Sequence, residues 1–281
     1  MRLVNPIVQD LVRDQEPPSH LSSTHQDHPP LTVLIPTLNE EENIGECLES
    51  VKWADEILVV DSGSADRTRE IAAEYTSRIL AHEYVNSAAQ KNWAIPQAAH
   101  PWVLIVDSDE RVTPELRDEI IALLRKGPDC AGYYIRRVNH FMGQPVRHVW
   151  KNDKCLRLFL RDKGRYQDRQ VHADVEIEGA TGWLKNPLLH YTCRSFEKYL
   201  LKHHRYTTWA ARDRAKRTPQ VRWHHLTVRP AFRFFKQYVL KRGFLDGRAG
   251  LIICGLSAFS VFMKYAKLWE LQQRKDLDKP H

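Results

Sequence analysis

The sequence predicts an α/β fold built on a mostly parallel sheet. Three observations carry that expectation. Short apolar runs rich in β-branched residues alternate with helical segments between Leu31 and Val106, the signature of successive βα units. Each of three such runs stops at a polar cluster: Pro36-Thr37-Leu38-Asn39-Glu40, Asp61-Ser62-Gly63-Ser64 and Asp107-Ser108-Asp109. The composition, 42% hydrophobic and 27% charged over 281 residues, is that of an ordinary globular chain of one large or two small domains. It argues against a disordered chain, a collagen-like repeat and a polytopic membrane protein.

The elements follow in order. Leu31–Ile35 reads as a buried strand stopped by Pro36. Asn39 is expected to begin a helix, because Asn39 and Glu42 have capping-box spacing and Glu40, Glu41 and Glu42 suit the positive end of a helix dipole. Glu56–Val60 is a second strand. Ser64 or Asp66 can cap the following helix, which runs to about Tyr75. Arg78–Ala81 is a short third strand, and the next helix carries Gln90 and Lys91. Trp102–Val106 is a fourth strand. In sheets of this kind, ligands bind outside the carboxyl ends of the strands, where all three polar clusters fall.

Residues 1–30 contain five prolines and no periodicity, and are expected to be disordered or loosely docked. They hold no continuous apolar run resembling a signal peptide. The five cysteines are odd in number, with no two at CxxC spacing. That argues against a disulfide framework and for a reducing compartment. The formal charge of +7 is segregated. Arg194–Arg242 holds 14 Lys/Arg against Glu197 and Asp213, a local +12 that leaves −5 for the rest. With its interleaved aromatics, this band suits an anionic membrane surface or a phosphorylated partner. Nucleic acid is not favoured, because no helix-turn-helix, RRM or zinc-finger spacing accompanies the band.

Asp107 and Asp109 can both reach one hard cation from a strand end, and Mg²⁺ or Mn²⁺ takes oxygen ligands while bridging phosphates. Asp61 can accept hydrogen bonds from a base or ribose. Gly63 permits close backbone approach. Lys91 can meet a phosphate as a point charge, although taken alone it reads as a solvated surface lysine. Neither a GxGxxG nor a GxxxxGK[ST] loop is present.

The segments IPTLNEEENI, WADEILVVDSGSADRT, QKNWAI and VLIVDSDERVTPEL together closely resemble family 2 glycosyltransferases. The subgroup it looks like is that of the lipopolysaccharide core β-1,4-glucosyltransferases and their relatives. The similarity continues through Leu156–Phe159, Val171-His172, Leu189–Thr192 and Arg242–Gly247 to Lys264–Leu271. It implies a GT-A (Rossmann-like) nucleotide-sugar-binding fold over residues 31–192, a basic helical region over 193–281, and inverting, metal-dependent hexose transfer. UDP-glucose is the implied donor and a glycolipid or other glycan the acceptor. By position, Pro36, Thr37, Asn39 and Glu40 line the nucleotide pocket, and Asp61 and Ser62 hold base and ribose. Lys91, Ser108 and Arg157 lie near the donor, Asp107 contacts ribose or metal, and Asp109 coordinates the cation, Mg²⁺ or Mn²⁺. Arg157 reads equally well as a strand residue facing solvent.

The chemistry needs a base to take the proton of the acceptor hydroxyl. Relatives often read Val-His-Glu, whereas this chain reads Val171-His172-Ala173-Asp174. Asp174 is the first candidate, Asp168 the second, and His172 a residue that orients the acceptor. Ala249–Met263 is free of charge over fifteen residues, fewer than the about 20 that span a bilayer. It is expected to be a buried helix or an interfacial segment, with Lys264, Tyr265, Lys267 and Trp269 at headgroup level. Peripheral attachment to the cytoplasmic face of the inner membrane follows as the expected location. A nucleotidyltransferase uses similar carboxylates and would be separated by pyrophosphate release.

Overall fold

The computed structural model describes residues 28–167 and 174–277. Asp168, His172 and nearly all of the expected N-terminal tail lie outside them. Four parallel strands form one half of the sheet: β1 (Leu31–Thr37), β2 (Glu56–Asp61), β3 (Ile79–Ala81) and β4 (Trp102–Ile105), in spatial order β3-β2-β1-β4. Helices α1 (Ile44–Val51), α2 (Thr68–Ala73) and α3 (Ser87–Ala94) connect them. Both faces of the strands are covered. Val33, Ile35 and Val59 pack with α1 on one side. Leu34, Leu58 and Val60 pack toward α3 on the other. This double burial explains why these strands read as continuous apolar runs without alternation.

The chain then forms β5 (Glu110–Val112) and α4 (Pro114–Lys126). Thr113 caps α4 by accepting from Leu116 N, and Pro114 occupies its first turn. Leu116, Ile120 and Leu124 recur at fourfold spacing and are fully buried, each contributing about 1.5–3 kcal/mol. Strands β6 (Gly132–Phe141), β7 (Gln144–Val146), β8 (Lys154–Leu160), β9 (Gly164–Tyr166), β10 (Val175–Ile177), β11 (Thr181–Trp183) and β12 (Leu188–Cys193) follow. The sheet extends past β4 as β8-β6-β12-β5 with mixed directions, while β9 and β10 pair separately. Helices α5 (Phe196–Ala215), α6 (Trp223–Leu226), α7 (Val228–Phe235) and α8 (Gly247–Leu277) complete the described chain.

Three expectations need correction. β1 runs through Pro36 to Thr37, because its pairing with β4 ends at Leu34 and Pro36 withholds no ladder donor there. No helix begins at Asn39. That residue has φ +54°, a left-handed conformation that Asn tolerates, and α1 starts at Ile44. Asn39 instead ties two loops together: its N–H donates to Ser64 Oγ (2.9 Å) and its Oδ1 accepts from Ala65 N (2.8 Å).

The third correction concerns the C-terminal end. The uncharged run Ala249–Met263 lies inside a helix about twice its length. Residues 243–274 are long and apolar enough to cross a membrane by length and composition, with 28% of the apolar window buried. Tyr265 and Lys267 do not sit free for headgroups. Tyr265 is buried, and Lys267 Nζ donates to His204 O (2.7 Å), Thr208 Oγ1 (2.8 Å) and Thr207 Oγ1 (2.9 Å) of α5. Helical spacing turns 261, 265 and 268 toward the neighbouring helices, leaving Phe259, Phe262 and Trp269 exposed.

Candidate active site

The carboxyl ends of β1 and β4, helix α3 and strand β8 meet on a cavity of about 1350 Å³. Helices α5, α7 and α8 form its opposite wall. Pro36, Thr37, Asn39, Glu40, Lys91, Asp107, Ser108, Asp109, Arg157 and Asp174 all line it. Asp61 and Ser62 do not. The Asp61 carboxylate accepts from Gly63 N and Ser64 N (3.1 Å each) and holds its own turn. Ser62 Oγ accepts from Gln90 Nε2 (2.6 Å).

Asp107 follows β4 directly and sits between two cations. Lys91 Nζ lies 2.7 Å from Oδ1, and Arg157 Nη2 donates to Oδ2. Burial opposes ionisation, but Arg157 and Lys91 outweigh it and hold the Asp107 carboxyl well below the usual carboxylate range. Neither cation is a solvated surface group. Lys91 is 5% exposed and packs over the Tyr166 ring, and Arg157 is 4% exposed. Ser108 Oγ donates to Pro36 O (2.9 Å), joining the ends of β4 and β1.

Glu110 is wholly buried and organises this end of the sheet. Its Oε1 accepts from Arg157 Nη2 (2.7 Å) and Arg137 Nη1 (3.1 Å), and its Oε2 from Asp107 N (2.9 Å). Arg137 also donates to Asp153 Oδ1 (2.8 Å). Each carboxylate in the chain Asp107–Arg157–Glu110–Arg137–Asp153 therefore faces at least one guanidinium, which compensates the desolvation of charge at this depth.

Asp109 reaches the cavity from the turn before β5. Antiparallel pairing of β5 with β12 sets His190 opposite Glu110. Tyr191 N donates to Asp109 O (2.8 Å), and His190 Nε2 lies 3.4 Å from Asp109 Oδ2. Burial raises the Asp109 carboxyl, but His190 more than offsets this and the value is lowered to about 2. Asn139 Nδ2 donates to Asp153 Oδ2 (2.8 Å), which turns Asn139 Oδ1 toward His190 Nδ1 (2.6 Å). A carbonyl oxygen only accepts, so Nδ1 carries a proton and Nε2 is aimed at Asp109. Thr37 Oγ1, on the cavity wall, is buried without a hydrogen-bond partner among the described residues. Burial raises the Glu40 carboxyl.

The two expected metal ligands thus have different surroundings. Both Asp107 oxygens already face cations, whereas Asp109 is ionised beside an imidazole nitrogen, a donor pair that suits a divalent ion. No group of three or more His, Cys, Asp or Glu side chains suited to a metal gathers among the described residues. The local sequence did not single out Glu110, Arg137, Asn139, Asp153, His190 or Lys202. The available signals were the position of Glu110 three residues after Asp107 and the placing of His190 within the Leu189–Thr192 segment.

Residues 32–188 match the profile of glycosyl transferase family 2, more than half of the chain. The chain belongs to that family. This family 2 enzyme is a glycosyltransferase with the GT-A fold. It is similar to the lipopolysaccharide core biosynthesis glycosyltransferase LpsC of Rhizobium meliloti (strain 1021), 28% identical over 89% of this chain and 96% of LpsC. An uncharacterized glycosyltransferase of Rickettsia felis is 29% identical over 85% of this chain and 89% of its own. Among solved structures, S. aureus TarS 1-349 aligns over 90% of this chain and 93% of that chain, with 13% identity and a TM-score of 0.43.

Proposed function

We propose that this glycosyltransferase moves a hexose, glucose as the first choice, from a UDP-sugar to a glycolipid acceptor such as lipopolysaccharide core, with inversion. The observation that carries the reading is the convergence of Asp107, Asp109, Lys91 and Arg157 on one large cavity at the carboxyl ends of β1 and β4, in a family 2 chain resembling a lipopolysaccharide core enzyme over most of its length. Thr37, Asn39 and Glu40 meet the nucleotide at the β1 end, where the orphan Thr37 hydroxyl awaits a ligand partner. Lys91 and Arg157 keep Asp107 ionised and in place.

Asp109 with His190 beside it would hold Mg²⁺ or Mn²⁺, which when bound neutralises charge on the departing diphosphate. Asp174 is exposed, lines the cavity and takes the proton of the acceptor hydroxyl. The exposed Phe259, Phe262 and Trp269 of helix α8 support a peripheral location on the cytoplasmic face of the inner membrane, beside a lipid-borne acceptor.

The test is a screen of nucleotide-sugars for metal-dependent hydrolysis, repeated with lipid extracts as acceptor. UDP release from UDP-glucose, enhanced by the extract, is expected. Neither turnover nor nucleotide-sugar binding across the panel would overturn the reading. Salt-sensitive sedimentation with anionic vesicles tests the location, and no binding at low salt removes it.

A further inference from the structure

The two walls of the cavity differ in charge: the sheet side carries both signs, with Lys91, Arg137, Lys154 and Arg157 among its acids, and the helical wall carries cations alone. The acidic lining residues, Glu40, Asp107, Asp109, Asp153 and Asp174, all come from the sheet side. The wall from α5, α7 and α8 contributes Lys202, Arg205, Arg233 and Lys264, and no Asp or Glu. Two of these four cations are accounted for. Lys202 faces the sheet, where Asp109 and Glu40 offset its burial, and the Arg205 guanidinium stacks on Trp209 at 5.4 Å.

Lys264, like Arg205, lies over an aromatic ring, that of Tyr265 at 4.8 Å, but neither it nor Arg233 is offset by a carboxylate: neither meets one within 4 Å among the described residues. The charged groups around Lys264 are Arg214, Arg229 and Arg233. Packing of α7 against α8 holds this arrangement: Arg229 Nη1 donates to Tyr265 Oη (2.6 Å), and both Arg229 and Lys264 lie against the Tyr265 ring. Arg214 Nε is buried without a partner. Burial first, and then the three guanidiniums, push the Lys264 ammonium down. Arg233 and Lys264 on the cavity wall, with Arg214 and Arg229 behind them, repel one another unless an anion joins them.

The same end is built from different elements than the donor machinery. Asp107, Asp109 and Glu40 come from the β1, β4 and β5 side of the cavity, and Arg233 and Lys264 from α7 and α8. Ser257, Ser260 and Lys264 project from α8 along one face into the cavity. Ser260 Oγ already donates to Leu256 O (2.8 Å) and meets His203 Nδ1 (2.6 Å), so phosphate oxygens there would meet two cations and the Ser257 hydroxyl, the chemistry that recognises a phosphoester.

We infer that the Arg233–Lys264 end of the cavity is a subsite for a phosphate-bearing acceptor, distinct from the donor diphosphate site. This rests on the reading of the opposite end as the nucleotide-sugar site. The phosphate is carried either by a sugar of the acceptor or by a lipid headgroup.

The test uses the full chain saturated with UDP and Mn²⁺, so that the donor end is filled. Glucose 6-phosphate is titrated calorimetrically, with glucose as the neutral control, and phosphatidylglycerol vesicles form the second arm. Arg233→Gln/Lys264→Gln is compared with wild type and with Lys264→Arg, which keeps the charge. Removing two charge-assisted contacts is expected to weaken the anion about tenfold or more, while the Kd for UDP stays within about twofold and Lys264→Arg retains binding. Weakening with glucose 6-phosphate assigns the phosphate to a sugar, and weakening with vesicles alone assigns it to a headgroup. The inference is overturned if neither arm weakens, or if UDP weakens in step with the anion, which would make the cluster part of the donor site. Wild-type protein that fails to bind UDP would instead remove the nucleotide-sugar reading and leave the two anion arms readable.

Discussion

Glu110→Ala is the sharpest test of how the β1 and β4 end of the cavity is built. Glu110 has no exposed surface, and it holds Arg157, Arg137 and the backbone of Asp107 at once. Removing one partner of a buried ion pair costs about 3–5 kcal/mol, because the remaining charge stays buried. Here Arg157 keeps Asp107 and Arg137 keeps Asp153, so neither guanidinium is stranded and the expected loss is about 3 kcal/mol. That corresponds to a Tm lower by about 6–12 °C for a protein of this size. Glu110→Gln keeps an oxygen for Asp107 N–H but loses the charge, and should fall between wild type and Glu110→Ala. Urea unfolding with an unchanged m-value measures the loss. UDP binding should weaken in both variants as Arg157 and Asp107 lose their common anchor. A loss below about 1 kcal/mol, the scale of an exposed pair, would refute the view that Glu110 organises the site.

Asp246 is 2% exposed at its side chain, accepts from the backbone N–H groups of Arg147, His148 and Val149, and pairs with His148 Nδ1 (2.9 Å). Burial opposes ionisation, but the Val149 amide and the His148 ring outweigh it and lower the Asp246 carboxyl. A lowered carboxyl contributes stability that is present above the ordinary value and lost as pH falls below about 4. Wild type should therefore lose more unfolding free energy than Asp246→Asn between pH 7 and pH 3, and parallel curves would contradict this. Gly250→Ala should destabilise the start of α8 by more than about 2 kcal/mol, since a Cβ there would lie 1.9 Å from Gly243 O; an unchanged Tm would show that the approach is not close. Asp174→Asn should lower kcat about 100-fold or more with UDP binding intact, and near-wild-type kcat would exclude Asp174 as the base.

The first half of the fold was legible because its signals are local. Leu31–Ile35, Glu56–Val60 and Trp102–Val106 announce buried strands by β-branched continuity, and the polar residues that end them fall where a parallel sheet binds ligands. Lys91 and Arg157 were placed near the site by position, but on composition alone each passes for a surface residue. Only the fold reveals that both are buried against Asp107. Asn39 shows the opposite failure. Capping-box spacing is a local rule, and a loop-to-loop contact with Ser64 and Ala65 overrides it.

The amino-acid order therefore decided the α/β class, the family motifs, the DxD carboxylates and the division of charge between body and C-terminal band, because each depends on neighbours within a few positions. Tertiary structure decided the wiring. Glu110 meets Arg137 and Arg157, and His190 meets Asp109 and Asn139, only because β5, β6, β8 and β12 pair in a mixed order that no short-range pattern encodes. It likewise divided the basic band, turning Lys267 into a tether between α5 and α8 and leaving Arg233 and Lys264 on the cavity wall. A sequence counts charges, but whether a charge is paired, buried or waiting for a ligand depends on which distant residues the fold sets within about 4 Å.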